Sequence, residues 1–222
     1  MANQNQTLGM DFIDERLNTY AEQHTTSESD LLNELNRQTH LKILQPRMLS
    51  GHIQGRLLSM FSHMIQPKCI LEIGTYTGYS ALCMAEGLQK DGKLITMDVN
   101  EELAPFTQSY FNKSEYAKQI DFRVGNALEI IPTLNETFDL VFIDADKENY
   151  SNYFDLVIDK VRQGGFIIAD NVLWSGKVIE PLKPNDKDTQ ALVEFNKKIH
   201  NDTRVENVLA PVRDGLMIIR RM

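Results

Sequence analysis

Leu71-Glu72-Ile73-Gly74-Thr75-Tyr76-Thr77-Gly78-Tyr79-Ser80 is the stretch on which the fold turns. It leaves an apolar run, passes through a turn with two glycines and enters a helical segment, the order of a βα unit. From residue 69 onward the same texture repeats, with short apolar runs alternating with longer amphipathic segments, as in a parallel sheet covered by helices. Strands are predicted near 69–74, 93–99, 120–124, 138–144 and 165–169, and a further helix near 189–200. The last two apolar runs, 205–212 and 216–221, are separated only by Arg213-Asp214-Gly215. That is too short for a parallel crossover, so they form an antiparallel hairpin with Asp214-Gly215 in the turn. The expected fold is therefore α/β, a mixed seven-stranded sheet ending in a C-terminal hairpin.

Upstream, the first 66 residues carry helical spacing instead. Phe12, Ile13, Leu17 and Tyr20 recur three and four apart, as do Leu31, Leu32 and Leu35. Ser27 or Ser29 can cap the second helix, Pro46 interrupts the pattern, and a third helix is expected from about 50 to 65, ended by Pro67. The 222 residues, 42% hydrophobic and 24% charged, suffice for one domain: N-terminal helices over 1–66 and an α/β core over 67–222. The formal charge of -8 disfavours non-specific binding to polyanions. The two cysteines, Cys69 and Cys83, lie in apolar runs, which argues against a disulfide framework and for a reducing compartment. Residues 1–10 lack an apolar core of signal-peptide type, and no window approaches the ~18 apolar residues of a membrane span. A soluble, cytoplasmic protein is expected.

Open α/β sheets bind ligands at the carboxyl ends of their strands. Gly74 and Gly78 in that position would let a ligand approach the backbone. Their G-x-x-x-G spacing lacks the third glycine of a dinucleotide fingerprint, which weakens a pyrophosphate reading and an NAD-dependent oxidoreductase with it. Glu72 would repel phosphate but could pair with a cationic, amino-acid-like group. Asp98, at the end of the second strand, can accept hydrogen bonds from ribose hydroxyls. These features describe an adenosine-type cofactor without a diphosphate.

Farther along the sheet, Asp144 and the pair Asp170-Asn171 end the fourth and fifth strands. Three hard oxygen donors suit Mg²⁺ or a similar cation, although Asp and Asn also serve as ordinary helix caps in such places. The five histidines (24, 40, 52, 63 and 200) have no metal-ligand spacing. Lys147, three residues past Asp144, is a candidate general base, its pKa lowered by partial desolvation beside a cation, or else a surface lysine. Trp174 is either a wall of an aromatic pocket or a packing residue.

At these residues the sequence resembles the cation-dependent O-methyltransferases, the family of caffeoyl-CoA and catechol O-methyltransferases and their bacterial relatives. The resemblance runs from about residue 44 to residue 222. Its motifs are E-I-G-T-Y-T-G-Y-S at 72–80, F-I-D-A-D-K at 142–147, A-D-N-V-L-W at 169–174 and P-V-R-D-G-L at 211–216. It implies a Rossmann-like methyltransferase fold, S-adenosylmethionine (SAM) as cofactor, Mg²⁺ or Mn²⁺ as metal, and a homodimer. By position it implies that Ser50, Glu72, Gly74, Tyr76, Ser80, Asp98, Ala127 and Asp146 line the cofactor site. Asp144, Asp170 and Asn171 would bind the metal, Lys147 would be the base, and Trp174 and Ser175 would flank the acceptor. Ala127 replaces a serine of the animal catechol enzymes, and Ser175 a substrate-contacting Asn of the plant enzymes, so that from Ser175 a plant-type acyl substrate does not follow.

The implied reaction moves a methyl group from SAM to a hydroxyl of a catechol-like small molecule. Two rivals keep the same cofactor: methylation of a hydroxylated nucleoside in tRNA, against which the net charge counts, and a catalytically silent SAM-binding protein, against which the intact Asp144, Lys147, Asp170 and Asn171 count.

Overall fold

A computed structural model describes residues 14–222. In chain order its elements are α1 (Glu15–Gln23), α2 (Asp30–Lys42), α3 (Gly51–Ile65), β1 (Cys69–Ile73), α4 (Tyr79–Ala85), β2 (Lys93–Asp98), α5 (Ala104–Lys113) and β3 (Ile120–Val124). There follow α6 (Ala127–Ile130), β4 (Phe138–Ile143), α7 (Tyr150–Val157), β5 (Val161–Ala169), α8 (Lys187–Asn201), β6 (Val205–Ala210) and β7 (Leu216–Arg221). The strands make one sheet in the order β3-β2-β1-β4-β5-β7-β6. β1 to β5 pair in parallel, and β7 runs antiparallel between β5 and β6. The expected mixed sheet with its terminal hairpin is what forms.

β1 is apolar but for Glu72 because it lies inside the sheet between β2 and β4, with every residue buried. Its alternate side chains feed opposite faces. Leu71 and Ile73 join Ile95, Val141, Ile167, Phe154 and Phe195 on one face. Ile70 joins Leu94, Leu140, Leu58, Tyr79 and Leu35 on the other, beneath α2, α3 and α4. Cys69 and Cys83 are free and buried, as expected of core residues.

Several boundaries move. β5 starts at Val161, four residues before the expected 165, because the polar Arg162-Gln163-Gly164-Gly165 reads as a turn. The pairing of β4 with β5 shifts register between Phe138 and Leu140, and Gly164 takes φ +73° there, so an irregular edge precedes the regular run. Ser29 rather than Ser27 caps α2, its Oγ accepting from Leu32 N at 3.3 Å. Pro46 opens a 3₁₀ turn, and α3 ends at Gln66 in the left-handed region just before Pro67. α1 buries none of its residues, and Leu17 and Tyr20 are exposed. Phe12 and Ile13, read as part of the same stripe, lie outside the described residues, as do residues 1–10. No helix among the described residues is long and apolar enough to cross a membrane.

The chain order reverses direction across the sheet at β1 and β4. From β1 it runs outward through β2 to β3, then returns to β4 on the other side. That switch point leaves a crevice at the carboxyl ends of the two strands, where α/β sheets hold ligands.

Candidate active site

The crevice is a cavity of about 1490 Å³. Gly74 and Tyr76 follow β1, Asp98 ends β2, Ala127 follows β3, Asp144, Asp146 and Lys147 follow β4, and Asp170, Asn171, Trp174 and Ser175 follow β5. α1, the segment 44–53 with Ser50, and Arg213 and Asp214 of the β6–β7 connection complete the wall. All the residues that the resemblance assigns to the cofactor, metal and acceptor line this cavity except Glu72 and Ser80.

Those two lie behind the turn. Residue 72 points to the same face of β1 as Ile70, toward α4, and not to the strand end. Its carboxyl group is buried and receives Ser80 Oγ at 2.6 Å and Thr96 Oγ1 at 2.5 Å, with Thr75 Oγ1 a further 2.5 Å from Thr96. Burial pushes the Glu72 pKa up to about 8; the two hydroxyl hydrogen bonds oppose the rise and the Asp144 and Asp98 charges add to it. Glu72 and Ser80 thus join β1, β2 and α4 under the turn.

The glycines are also otherwise employed. A Cβ on Gly74 would lie 1.8 Å from the Asp144 carbonyl oxygen, and one on Gly78 2.6 Å from the Phe111 ring. With φ of +101° and +88°, both positions require glycine for packing within the protein, although Gly74 still borders the cavity. Asp98 holds the turn in place, its Oδ2 accepting from Tyr76 N at 2.7 Å and its Oδ1 from Asn100 N at 2.9 Å. Each oxygen keeps a further lone pair for a ligand hydroxyl. Asp146 accepts from Tyr153 Oη at 2.5 Å and from Asn149 Nδ2.

At the other end Lys147 is the hub. Its buried Nζ donates to Asp144 Oδ1 at 3.1 Å, Asn171 Oδ1 at 3.0 Å and Tyr150 Oη at 2.6 Å, and lies 5.6 Å from the Trp174 ring centroid. Tyr150 Oη in turn donates to the Asp170 carbonyl oxygen at 3.0 Å. Burial, reinforced by the Asp144 and Asp170 charges, holds this phenol far above its ordinary pKa, so it remains a donor. Asp170 is pushed up to about 7 by burial first and by Asp144 second. Two oxygens of the predicted donor set, from Asp144 and Asn171, therefore converge around one cationic centre, and the third member, the Asp170 carboxylate, lies beside them. Among the described residues no three His, Cys, Asp or Glu side chains form a metal cluster; the set here has two carboxylates, and its third donor is an amide. Hard, anionic oxygens of this kind fit a divalent cation such as Mg²⁺.

The backbone around the cavity is strained. Gln45, Tyr76, Asn171, Trp174, Ser175 and Arg213 all take φ between +48° and +60° and all line it. Such conformations cost roughly 1–3 kcal/mol each for most side chains and persist where the surroundings enforce them, as functional sites do. Around Trp174 and Ser175 it is Asp214 that holds the chain: its carboxylate receives Ser175 N and its carbonyl receives Leu173 N at 2.9 Å. The Trp174 indole N–H is buried without a partner among the described residues.

Sequence reasoning missed Tyr150, Gln54, Arg213 and Asp214. Tyr150 follows Lys147 by three residues, one helical turn, which was a usable signal. Asp214 was read only as a turn residue.

Compared with known proteins, residues 22–222 match the O-methyltransferase family. The chain belongs to that family. It is 42% identical over 186 residues to the caffeoyl-CoA O-methyltransferase of Mesembryanthemum crystallinum, covering 79% of this chain and 73% of that protein. The Petroselinum crispum caffeoyl-CoA O-methyltransferase is 39% identical, over 79% of this chain and 77% of its own. Among solved structures, an S-adenosylhomocysteine-bound methyltransferase from Podospora anserina superposes with a TM-score of 0.86 at 28% identity, covering 94% of each chain. A Streptomyces achromogenes O-methyltransferase of tomaymycin synthesis, solved with SAM, gives 0.85 at 27% identity over 93% and 96%. This O-methyltransferase is thus an enzyme of the SAM-dependent class, and the seven-stranded sheet with its antiparallel C-terminal strands is the fold of that class.

Proposed function

We propose that this O-methyltransferase methylates one hydroxyl of a catechol-like vicinal diol, with a divalent cation held by Asp144, Asp170 and Asn171 and Lys147 as general base. The observation that carries the reading is the Lys147 Nζ within hydrogen-bond reach of both Asp144 and Asn171, because its amine form would set a proton acceptor beside the oxygens that would orient a diol. SAM takes the crevice along Gly74, Tyr76, Asp98, Ala127 and Asp146, with Ser50 near its methionine end. The density of carboxylates there, Asp98, Asp144, Asp146, Asp170 and Asp214, favours a cationic sulfonium over a diphosphate.

When bound, the cation would lower the pKa of a coordinated hydroxyl and fix its orientation. Lys147 in its amine form takes the hydroxyl proton at Nζ, while Tyr150 and Asn171 hold that nitrogen in place. The acceptor oxygen forms a bond to the methyl carbon as the carbon–sulfur bond breaks, its electron pair going to sulfur and leaving S-adenosylhomocysteine. Trp174 and Ser175 border the acceptor, and the walls align the two reactants and exclude water.

The test is an acceptor screen with labelled SAM, with and without EDTA, including catechols and undermodified tRNA. Methylation of a catechol, lost in EDTA and restored by Mg²⁺ or Mn²⁺ without unfolding, is expected. Methyl transfer undiminished by EDTA overturns the metal, and transfer to tRNA alone overturns the acceptor.

A further inference from the structure

The helix α3 reaches the site through one side chain. Gln54 is buried, its Nε2 donating to Asp170 Oδ2 at 2.5 Å and its Oε1 accepting from Arg213 Nη1 at 3.0 Å. The amide can sit only this way round, since a carboxylate offers only acceptors and a guanidinium only donors. Arg213 is braced in turn, both terminal nitrogens donating to the Leu49 carbonyl at 3.4 Å from a backbone held at φ +48°. The other Asp170 oxygen, Oδ1, accepts from Asn171 N at 2.7 Å. Each carboxylate oxygen is thus fixed by one donor and keeps a lone pair free.

Resting on the metal reading above, we propose that Gln54, braced by Arg213, is a positioning residue that aims the Asp170 carboxylate within the cation-binding set. Remove the amide and Asp170 keeps only the bond from its own neighbour, free to turn about its side-chain axis. A ligand that must be ordered on binding holds its metal more weakly, and loss of such outer partners commonly lowers metal affinity about 10–100-fold. The arrangement also ties metal retention to the joint between α3 and the β6–β7 connection, far from Asp170 in the chain.

The test is titration of the full chain with Mn²⁺, free ion being followed by electron paramagnetic resonance, beside thermal unfolding in EDTA. Gln54→Met keeps length and apolar volume while losing both hydrogen bonds, and Arg213→Met removes only the brace. Ser62→Ala is the control, since Ser62, on the same helix as Gln54, donates through its buried Oγ to the Met84 carbonyl of α4 at 2.6 Å, away from the cavity. Gln54→Met is expected to weaken Mn²⁺ binding about tenfold or more, and Arg213→Met to weaken it less. Ser62→Ala should lower the unfolding temperature and leave Mn²⁺ affinity unchanged. Mn²⁺ affinity of Gln54→Met equal to wild type overturns the inference while leaving the metal reading intact. If Gln54→Met does not fold, Arg213→Met decides in the same way. A wild-type chain that binds no Mn²⁺ overturns both together.

Discussion

Glu72→Gln isolates the consequence of burying a carboxyl group under the β1–α4 turn. In the folded protein this group titrates near 8, against an ordinary value of 4.5. Because the folded pKa lies above the unfolded one, the native state binds more protons between those values, and stability falls as pH rises. The contribution is fully present below about 4.5 and is lost through about 8. Integrating the linkage between pH 6 and pH 9 gives a loss on the order of 2–3 kcal/mol from this one group. Glutamine stays neutral throughout and reproduces the protonated form, its amide donating to Thr96 while its carbonyl accepts from Ser80. Urea unfolding at pH 6 and pH 9, in EDTA and without cofactor, measures the difference between the two proteins. Other titrating groups, Asp170 among them, are common to both and cancel. The wild type should lose roughly 2–3 kcal/mol more than Glu72→Gln across that window, so that the variant is the steadier protein at pH 9. Parallel pH profiles would mean that Glu72 is ionised in the fold and that its two hydroxyl partners outweigh its burial.

Lys147→Met should lower kcat by roughly 10²–10⁴-fold while calorimetry finds SAM affinity nearly unchanged, and near-normal turnover would leave the lysine a merely structural cation. Asp98→Ala should weaken SAM by about 1–3 kcal/mol in the same calorimetry through lost, partly buried hydrogen bonds, with no NAD binding by either protein. Gly74→Ala should cost about 3 kcal/mol or more in chemical denaturation, since its Cβ meets the Asp144 carbonyl oxygen and its backbone lies at φ +101°. A Gly74→Ala protein as stable as wild type would show that the two strand ends separate freely.

The sheet was legible because its signals are local. A strand buried inside the sheet needs a mostly apolar run such as Ile70 to Ile73, here interrupted only by Glu72, and a three-residue gap admits only a hairpin between 205–212 and 216–221. β5 was shortened because Arg162 to Gly165 carries turn chemistry, and only pairing with β4 draws Val161 into the sheet. The site was legible for a related reason. Loops at one end of a parallel sheet converge on one crevice, so placing Asp98, Asp144, Lys147, Asp170 and Asn171 at strand ends already brings them together.

Glu72 shows that the rule gives a residue's place along the strand but not the direction of its side chain. Side chains within a strand alternate between faces, so a residue that shares a face with Ile70 and Thr96 is committed to the α4 side before the strand ends, whatever its charge suggests. Period-two reasoning applied to 70–73 would have placed it there. No comparable reasoning reaches Gln54. It stands 116 residues from Asp170 on a helix whose pattern explains it as one more polar position, and its role exists only because packing brings α3 to Asp170, just past β5, and to Arg213, just before β7. Local periodicity decides which elements form and which ends carry chemistry. The partners that orient those groups come from elements brought in by packing, and they leave no mark at the motifs. The residues that hold a site in shape are therefore the ones to seek in the structure after the motifs have named those that act.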